Sequence, residues 1–204
     1  MLGFPSSTNL HKLLPKAALY RKFGLSSAEQ EQYDRDISRI YIENEISERT
    51  INIRAGQSIK SFFVVQLLIK NGNYDKKVFE RLSKLIPQKM LFAVEQNGIA
   101  SIAVYEDNVL MQTESASIES IRLPMSAIDL DQLWANIVSY IGNFKLEEGK
   151  TLKETISENE EIRKLDTKIN QLTKRAFKEK QPRRKWELMQ EVKRIEIQRN
   201  SILS

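Results

Sequence analysis

The sequence predicts an α+β protein: a small, mostly antiparallel sheet with packed helices, followed by a C-terminal helical hairpin that reads as a short coiled coil. Three observations carry this. Residues 59–69 form a nearly continuous apolar run, with Phe62-Phe63-Val64-Val65 and Leu67-Leu68-Ile69, as expected of a central strand covered on both faces. Two later apolar runs flank Gln96-Asn97-Gly98, which carries the Asn-Gly preference of a tight hairpin. Beyond residue 150, Ile162, Leu165, Ile169, Leu172 and Ala176 are spaced 3, 4, 3 and 4, a stripe of about two heptads.

In chain order, residues 1–25 start irregularly, and a short helix over 16–23 would place Leu19, Tyr20 and Phe23 on one side. Gly24 ends it. Ser26 or Ser27 can cap the next helix, with Glu29 and Glu31 in its first turn, and this helix runs to about Asp36. A strand through Ile40, Tyr41 and Ile42 follows, then a turn or one helical turn at Ser47-Glu48-Arg49-Thr50. The strand at 59–69 stops at Asn71-Gly72-Asn73. From Asp75 to Ile86, Val78, Phe79, Leu82, Leu85 and Ile86 fall at helical spacing, and Pro87 ends the segment. Met90–Glu95 and Ile99–Tyr105 make the hairpin, and Asp107-Asn108 turns into Val109-Leu110-Met111. This reads as a meander, not a βαβ series.

Asp129-Leu130-Asp131-Gln132 has the form of a capping box. The helix behind it buries Leu130, Leu133, Trp134, Ile137, Val138 and Ile141, and Gly142-Asn143 closes it. We place the α+β domain at 1–149 and a basic helical hairpin at 150–204. Pro182 interrupts the heptad stripe. A second helix from about Arg184 carries Leu188, Val192, Ile195 and Ile202 on one face. The stripe of Ile162, Leu165, Ile169 and Leu172 closes on the hairpin itself, docks on the first domain, or meets another chain, which includes self-association.

Composition excludes several function classes. The chain has 204 residues, no Cys and one His, so disulfides, thiolate nucleophiles, zinc fingers and a conventional triad are not expected. Seven glycines form neither GxGxxG nor GxxxxGK[ST], which argues against nucleotide-driven activity. No apolar run approaches the roughly 20 residues of a membrane span. The N-terminus lacks the pattern of a secretion signal, so a soluble, cytoplasmic protein is expected.

The net charge of +5 is unevenly divided. Residues 151–204 hold 14 Lys/Arg against 9 Asp/Glu, whereas 1–150 hold 18 of each. In the twelve residues 174–185, Lys174, Arg175, Lys178, Lys180, Arg183, Arg184 and Lys185 face only Glu179. Such a cluster attracts phosphate backbone or an acidic protein surface. No recognition helix, zinc site or aromatic RNA platform is visible, so DNA contact, if made, is expected to be non-sequence-specific.

Catalytic candidates are thin. A metal-dependent nuclease needs converging carboxylates to hold Mg²⁺ and a Lys to position or activate water. Glu148-Gly149-Lys150 is the one Glu-x-Lys outside the charged tail that might serve, and it falls in an expected loop. Asp34, Asp36, Glu43 and Glu45 form an acidic run, in which alternation puts Glu43 and Glu45 on one face. His11 reads as a surface residue; Tyr33, Tyr41, Tyr74 and Phe144 read as packing residues. No catalytic residue, metal site or cofactor is assigned.

Several segments are nonetheless distinctive: Gly3-Phe4-Pro5-x-Ser7-Thr8, Leu14-Pro15-Lys16 with Tyr20, Ile37-Ser38-Arg39-Ile40-Tyr41, and 46–53 reading Ile-Ser-Glu-Arg-Thr-Ile-Asn-Ile. With the 62–69 strand, Leu85-Ile86-Pro87 and Met90-Leu91-Phe92-Ala93-Val94, they resemble a bacterial family catalogued as domain of unknown function 4391. The similarity covers roughly residues 2–145. The family pattern often has Trp where this chain has Tyr41, and Ser-Pro-Glu-Thr where it has Ser47-Glu48-Arg49-Thr50. The resemblance brings no activity. It implies a setting beside DNA methyltransferases and helicase-type restriction subunits in anti-phage loci. The expectation is a non-enzymatic accessory subunit that binds such a protein partner, with DNA as a further partner. The rival is a metal-dependent nuclease using Asp36, Glu43 or Glu45, and a third reading is an antitoxin-like or purely oligomeric protein.

Overall fold

A computed structural model describes residues 2–72, 74–147 and 149–203. Two compact units are present, Met1–Lys145 and Leu146–Ser204. The first contains β1 (Asn9–Leu13), α1 (Lys16–Phe23), α2 (Ser27–Asp36), β2 (Ile37–Ser47), α3 (Glu48–Ile51), β3 (Ser61–Ile69), α4 (Lys77–Ser83), β4 (Lys89–Gln96), β5 (Ile99–Glu106), β6 (Val109–Gln112), β7 (Ala116–Ser117) and α5 (Leu130–Gly142). The second contains α6 (Leu152–Lys178) and α7 (Pro182–Ile202). The architecture is the mixed, mostly antiparallel sheet with packed helices that the sequence predicts.

The sheet runs β1-β2-β3-β4-β5-β6, with the short β7 paired to β5. One pairing departs from the expected meander: β3 and β4 are parallel, Phe63 opposite Met90 and Leu67 opposite Val94. A parallel neighbour cannot be reached by a tight turn. The chain therefore crosses over through α4, forming one β-α-β step inside an otherwise antiparallel sheet. The helix α4 is shorter than the expected 75–86. Strand β3 ends at Ile69, just ahead of the expected stop at Asn71-Gly72-Asn73, of which Asn73 lies outside the described residues.

Strand β3 explains the layering. Phe62, Val64, Val65 and Leu67 are all buried, so apolar cover is required on both faces. On one face Val65 and Leu67, with Phe92 and Val94, pack against Leu19, Tyr33, Val78, Phe79 and Leu82 from α1, α2 and α4. On the other, Phe62 meets Trp134 of α5 edge-on with ring centroids 5.2 Å apart. The inward stripe of α5 is the expected set, Leu130 through Ile141, all buried.

Local chemistry sets the boundaries. Ser26 caps α2 in a reciprocal box: its hydroxyl accepts from the Glu29 N–H, while the Glu29 carboxylate accepts from the Ser26 N–H at 2.9 Å. Asn97 and Gly98 both take positive φ, +53° and +79°, as a two-residue hairpin turn requires. At α5, Asp129 accepts from the Gln132 N–H, but the Gln132 side chain reaches Ile128 rather than Asp129, so the expected box closes on one side only. Strand β1 falls where the sequence reads as irregular. It is an edge strand exposed along its whole length, so no burial alternation marks it.

The loop before β3 is tied to α5 by Asp131, whose carboxylate accepts from the N–H groups of Ile59 at 2.7 Å and Ser58 at 3.1 Å. Desolvation opposes ionisation there, but the surrounding N–H donors outweigh it and hold the carboxyl below the usual carboxylate range. Gly56 permits the approach, since a Cβ at that position would lie 2.3 Å from Asp131 Oδ1.

The α6–α7 pair forms a hairpin whose seam is Leu172, Val192 and Ile195, flanked by Leu165, Ile169 and Leu188. Asp166 pairs with Arg199 at 3.0 Å and Lys168 with Glu191 at 3.7 Å, so the helices run antiparallel. Pro182 sits at the first position of α7, where no intrahelical N–H is needed, and the helix starts there rather than at Arg184. Among the described residues, no helix is long and apolar enough to cross a membrane.

Two outcomes are expected. Gly56→Ala should lower the urea midpoint by an amount equivalent to about 1–3 kcal/mol, the usual range for forced overpacking; an unchanged midpoint would show that the loop gives way freely. Glu29 is held down to about 2 from 4.5 by the Ser26 backbone and side chain and by Arg81. A carboxyl with a depressed folded pKa adds stability that is fully present above pH 4.5 and is lost as pH falls toward 2. Glu29→Gln should therefore flatten the acid limb of a pH-dependent denaturation series.

Candidate functional site at the hairpin turn

The turn between α6 and α7 gathers the seven cations the charge count singles out. Helix α6 ends at Lys178, with the Glu179 N–H bonded to the Arg175 carbonyl at 3.0 Å. After three intervening residues α7 begins, and its N-cap, Gln181, makes no side-chain capping bond. The positive end of the α7 dipole therefore adds to the side-chain charge.

Lys174, Arg175, Lys178, Lys180, Arg183, Arg184 and Lys185 are all exposed. Their compensation is slight. Arg183 pairs with Glu187 at 3.3 Å, an exposed contact of small strength. Glu179 turns its carboxylate to the Gln181 N–H at 2.9 Å. Among the described residues no ion pair is found for the other six cations.

Two rings stand among these charges, and the sequence reading missed both. Phe177 is 76% exposed and Trp186 64% exposed. The Lys185 ammonium lies 6.0 Å from the Phe177 ring centroid, a cation–π contact from α7 to α6 across the turn. The available signal was rotational. Phe177 follows the buried Ala176, and one step around an α-helix is about 100°, which carries its side chain off the buried face.

The stripe expected as a partner face takes part in the hairpin's own seam. Leu172 is buried and Leu165 and Ile169 are packed in the seam with the α7 residues, so they close the hairpin on itself. Ile162 is half-buried further along the same helix.

The carboxylates do not converge. Asp34 is bonded to Lys16 and to the Tyr20 hydroxyl, and Lys16 above all holds its carboxyl below the usual range. Asp36 is buried and lies 3.4 Å from Arg35. Glu43 binds His11 Nδ1 at 3.0 Å, and the imidazole stacks on Tyr41 with centroids 4.7 Å apart. Six residues of mostly extended chain separate Asp36 from Glu43, roughly 20 Å. Alternation also fails to align Glu43 with Glu45. Ile42 pairs with Val65 and Asn44 with Val64, which leaves Glu43 as the extra residue of a β-bulge.

Glu148 lies outside the described residues. Lys150, its proposed companion, is bonded to Glu158 at 2.8 Å and Glu147 at 2.9 Å, which hold its ammonium above the ordinary lysine range. Among the described residues no three His, Asp or Glu side chains are placed to hold a metal ion. Tyr33 and Tyr74 belong to the core cluster of the first unit, as packing residues.

Comparison with known proteins adds one finding: the family model described as Domain of unknown function (DUF4391) matches residues 2–198. No curated protein and no solved structure matches the chain.

The seam is testable directly. Burying each side chain of its size is worth about 1.5–3 kcal/mol, so Leu172→Asp with Ile195→Asp should open the hairpin. Far-UV circular dichroism should lose helix signal, and limited proteolysis should cut within 152–202. Full retention of helicity and protection would remove the seam from its structural role.

Proposed function

The chain belongs to the DUF4391 family, and on that premise we propose that it is a non-enzymatic accessory subunit of a bacterial restriction or anti-phage assembly, working in the cytoplasm. It would act beside a helicase-type restriction subunit or a DNA methyltransferase, holding nucleic acid through the turn of its C-terminal hairpin. The observation that supports the reading is the cationic turn: seven exposed cations, almost uncompensated, at the turn of a helical hairpin. A polyanion supplies what they lack. Contact with phosphates releases condensed counterions and carries no sequence information, so binding would be strong at low salt and indifferent to sequence. The separated carboxylates of the first unit favour a binding role over hydrolysis.

Duplex DNA binding by the full chain should weaken with salt at a slope near −0.9 per phosphate contacted, and Arg183→Glu with Arg184→Glu should reduce both affinity and slope. Binding that is absent, or unmoved by the reversal, would refute nucleic-acid contact at the turn. Capture of an acidic protein in its place would move the same residues to a protein interface. Plasmid cleavage in Mg²⁺ that disappears in Glu43→Ala would make the protein an enzyme.

A further inference from the structure

We propose that the hairpin turn is a binding site for single-stranded nucleic acid, in which Phe177 and Trp186 stack bases while the surrounding cations hold the phosphates. This rests on the nucleic-acid reading above and specifies its ligand. The argument starts from what the two rings cost in water. Each is a large apolar surface, 76% and 64% exposed, at the most highly charged point of the chain. The other tryptophan, Trp134, shows what packing does with such a side chain here: it is 1% exposed, with its indole N–H bonded to Glu106 at 3.2 Å. Neither exposed ring contributes to the hairpin seam, which is complete without them.

Charge and aromatic surface together select the ligand. A duplex satisfies the cations through its phosphates but keeps its bases paired and stacked, leaving the rings without a partner. A single strand presents both chemistries at a repeat of one base per phosphate, and every base has a face to stack. Lys185 already lies over the Phe177 ring, so one face of that ring is cation-covered and the site offers charge and π surface within a single side-chain contact. A protein partner would need an acidic rim around an apolar pocket to match this surface, whereas the repeating unit of any single strand matches it.

Tryptophan fluorescence reads the contact, because Trp134 is buried and Trp186 is not. The full chain is titrated with a thymidine homopolymer and, separately, with a duplex of equal length. The homopolymer should bind more tightly and quench the emission. Phe177→Ala with Trp186→Ala should weaken homopolymer binding at least about tenfold while duplex binding stays unchanged. Trp186→Phe, which keeps a ring, should keep the affinity and lose the quench. Circular dichroism confirms that these surface variants remain helical.

Duplex binding equal to or tighter than homopolymer binding, with no effect of the alanine pair, would overturn this proposal and leave the phosphate-binding reading standing. Failure to bind either polymer would overturn both. Quenching by anionic phospholipid vesicles without binding of the homopolymer would assign the rings to a membrane surface instead.

Discussion

Burial of β3 on both faces is the constraint from which the first unit follows. Phe62, Val64, Val65 and Leu67 leave no polar side for water, so the strand is stable only between two apolar layers. That requirement places α1, α2 and α4 on one side of the sheet and α5 on the other. It also accounts for the parallel β3–β4 pairing, because the crossover between them delivers Val78, Phe79 and Leu82 to a face that needs cover. The Asp131 clasp on Ser58 and Ile59 is then a fine adjustment, joining the loop that enters β3 to the helix that covers it.

The second unit solves a different problem with the same physics. A two-helix hairpin has a single seam, and here a few aliphatic side chains from each helix fill it. Farther from the turn, cross-helix pairs such as Asp166–Arg199 balance the charges. Near the turn that balance disappears, and seven cations are brought together with little to offset their repulsion. Structural economy does not account for this concentration, since each cation is solvated and none supports the seam. The proposed anionic ligand would offset that repulsion, and the two rings narrow the kind of ligand proposed.

The first unit carries polar clusters of another character. His11, Tyr41 and Glu43 interact at a bulge on the sheet edge, and Asp34 is engaged by Lys16 and Tyr20. These are local ties between neighbouring elements, each carboxylate already having its partner. The acidic run around β2 therefore reads as a set of separate contacts distributed along an extended chain. A run of carboxylates in sequence becomes a metal site only when the backbone folds them toward one point, and a strand does the opposite.

Much of the fold was legible because its signals are local. The apolar run of β3, the Asn97-Gly98 turn, the Ser26 cap and the 3–4 stripe of α6 each express a preference that a short segment holds by itself. The cations of the turn were legible for the same reason, since charge density can be counted along the chain. Four features were decided only in three dimensions. The parallel pairing of β3 with β4 depends on which strand competes best for a buried edge, and β1 exists because β2 offers it hydrogen bonds, not because its own side chains alternate. The bulge at Glu43 resets the faces of β2, which no periodicity announces. The exposure of Phe177 and Trp186 was fixed by how α6 and α7 rotate to close their seam: aromatic residues in a sequence imply burial by default, and only the packed hairpin shows which rings the core left outside.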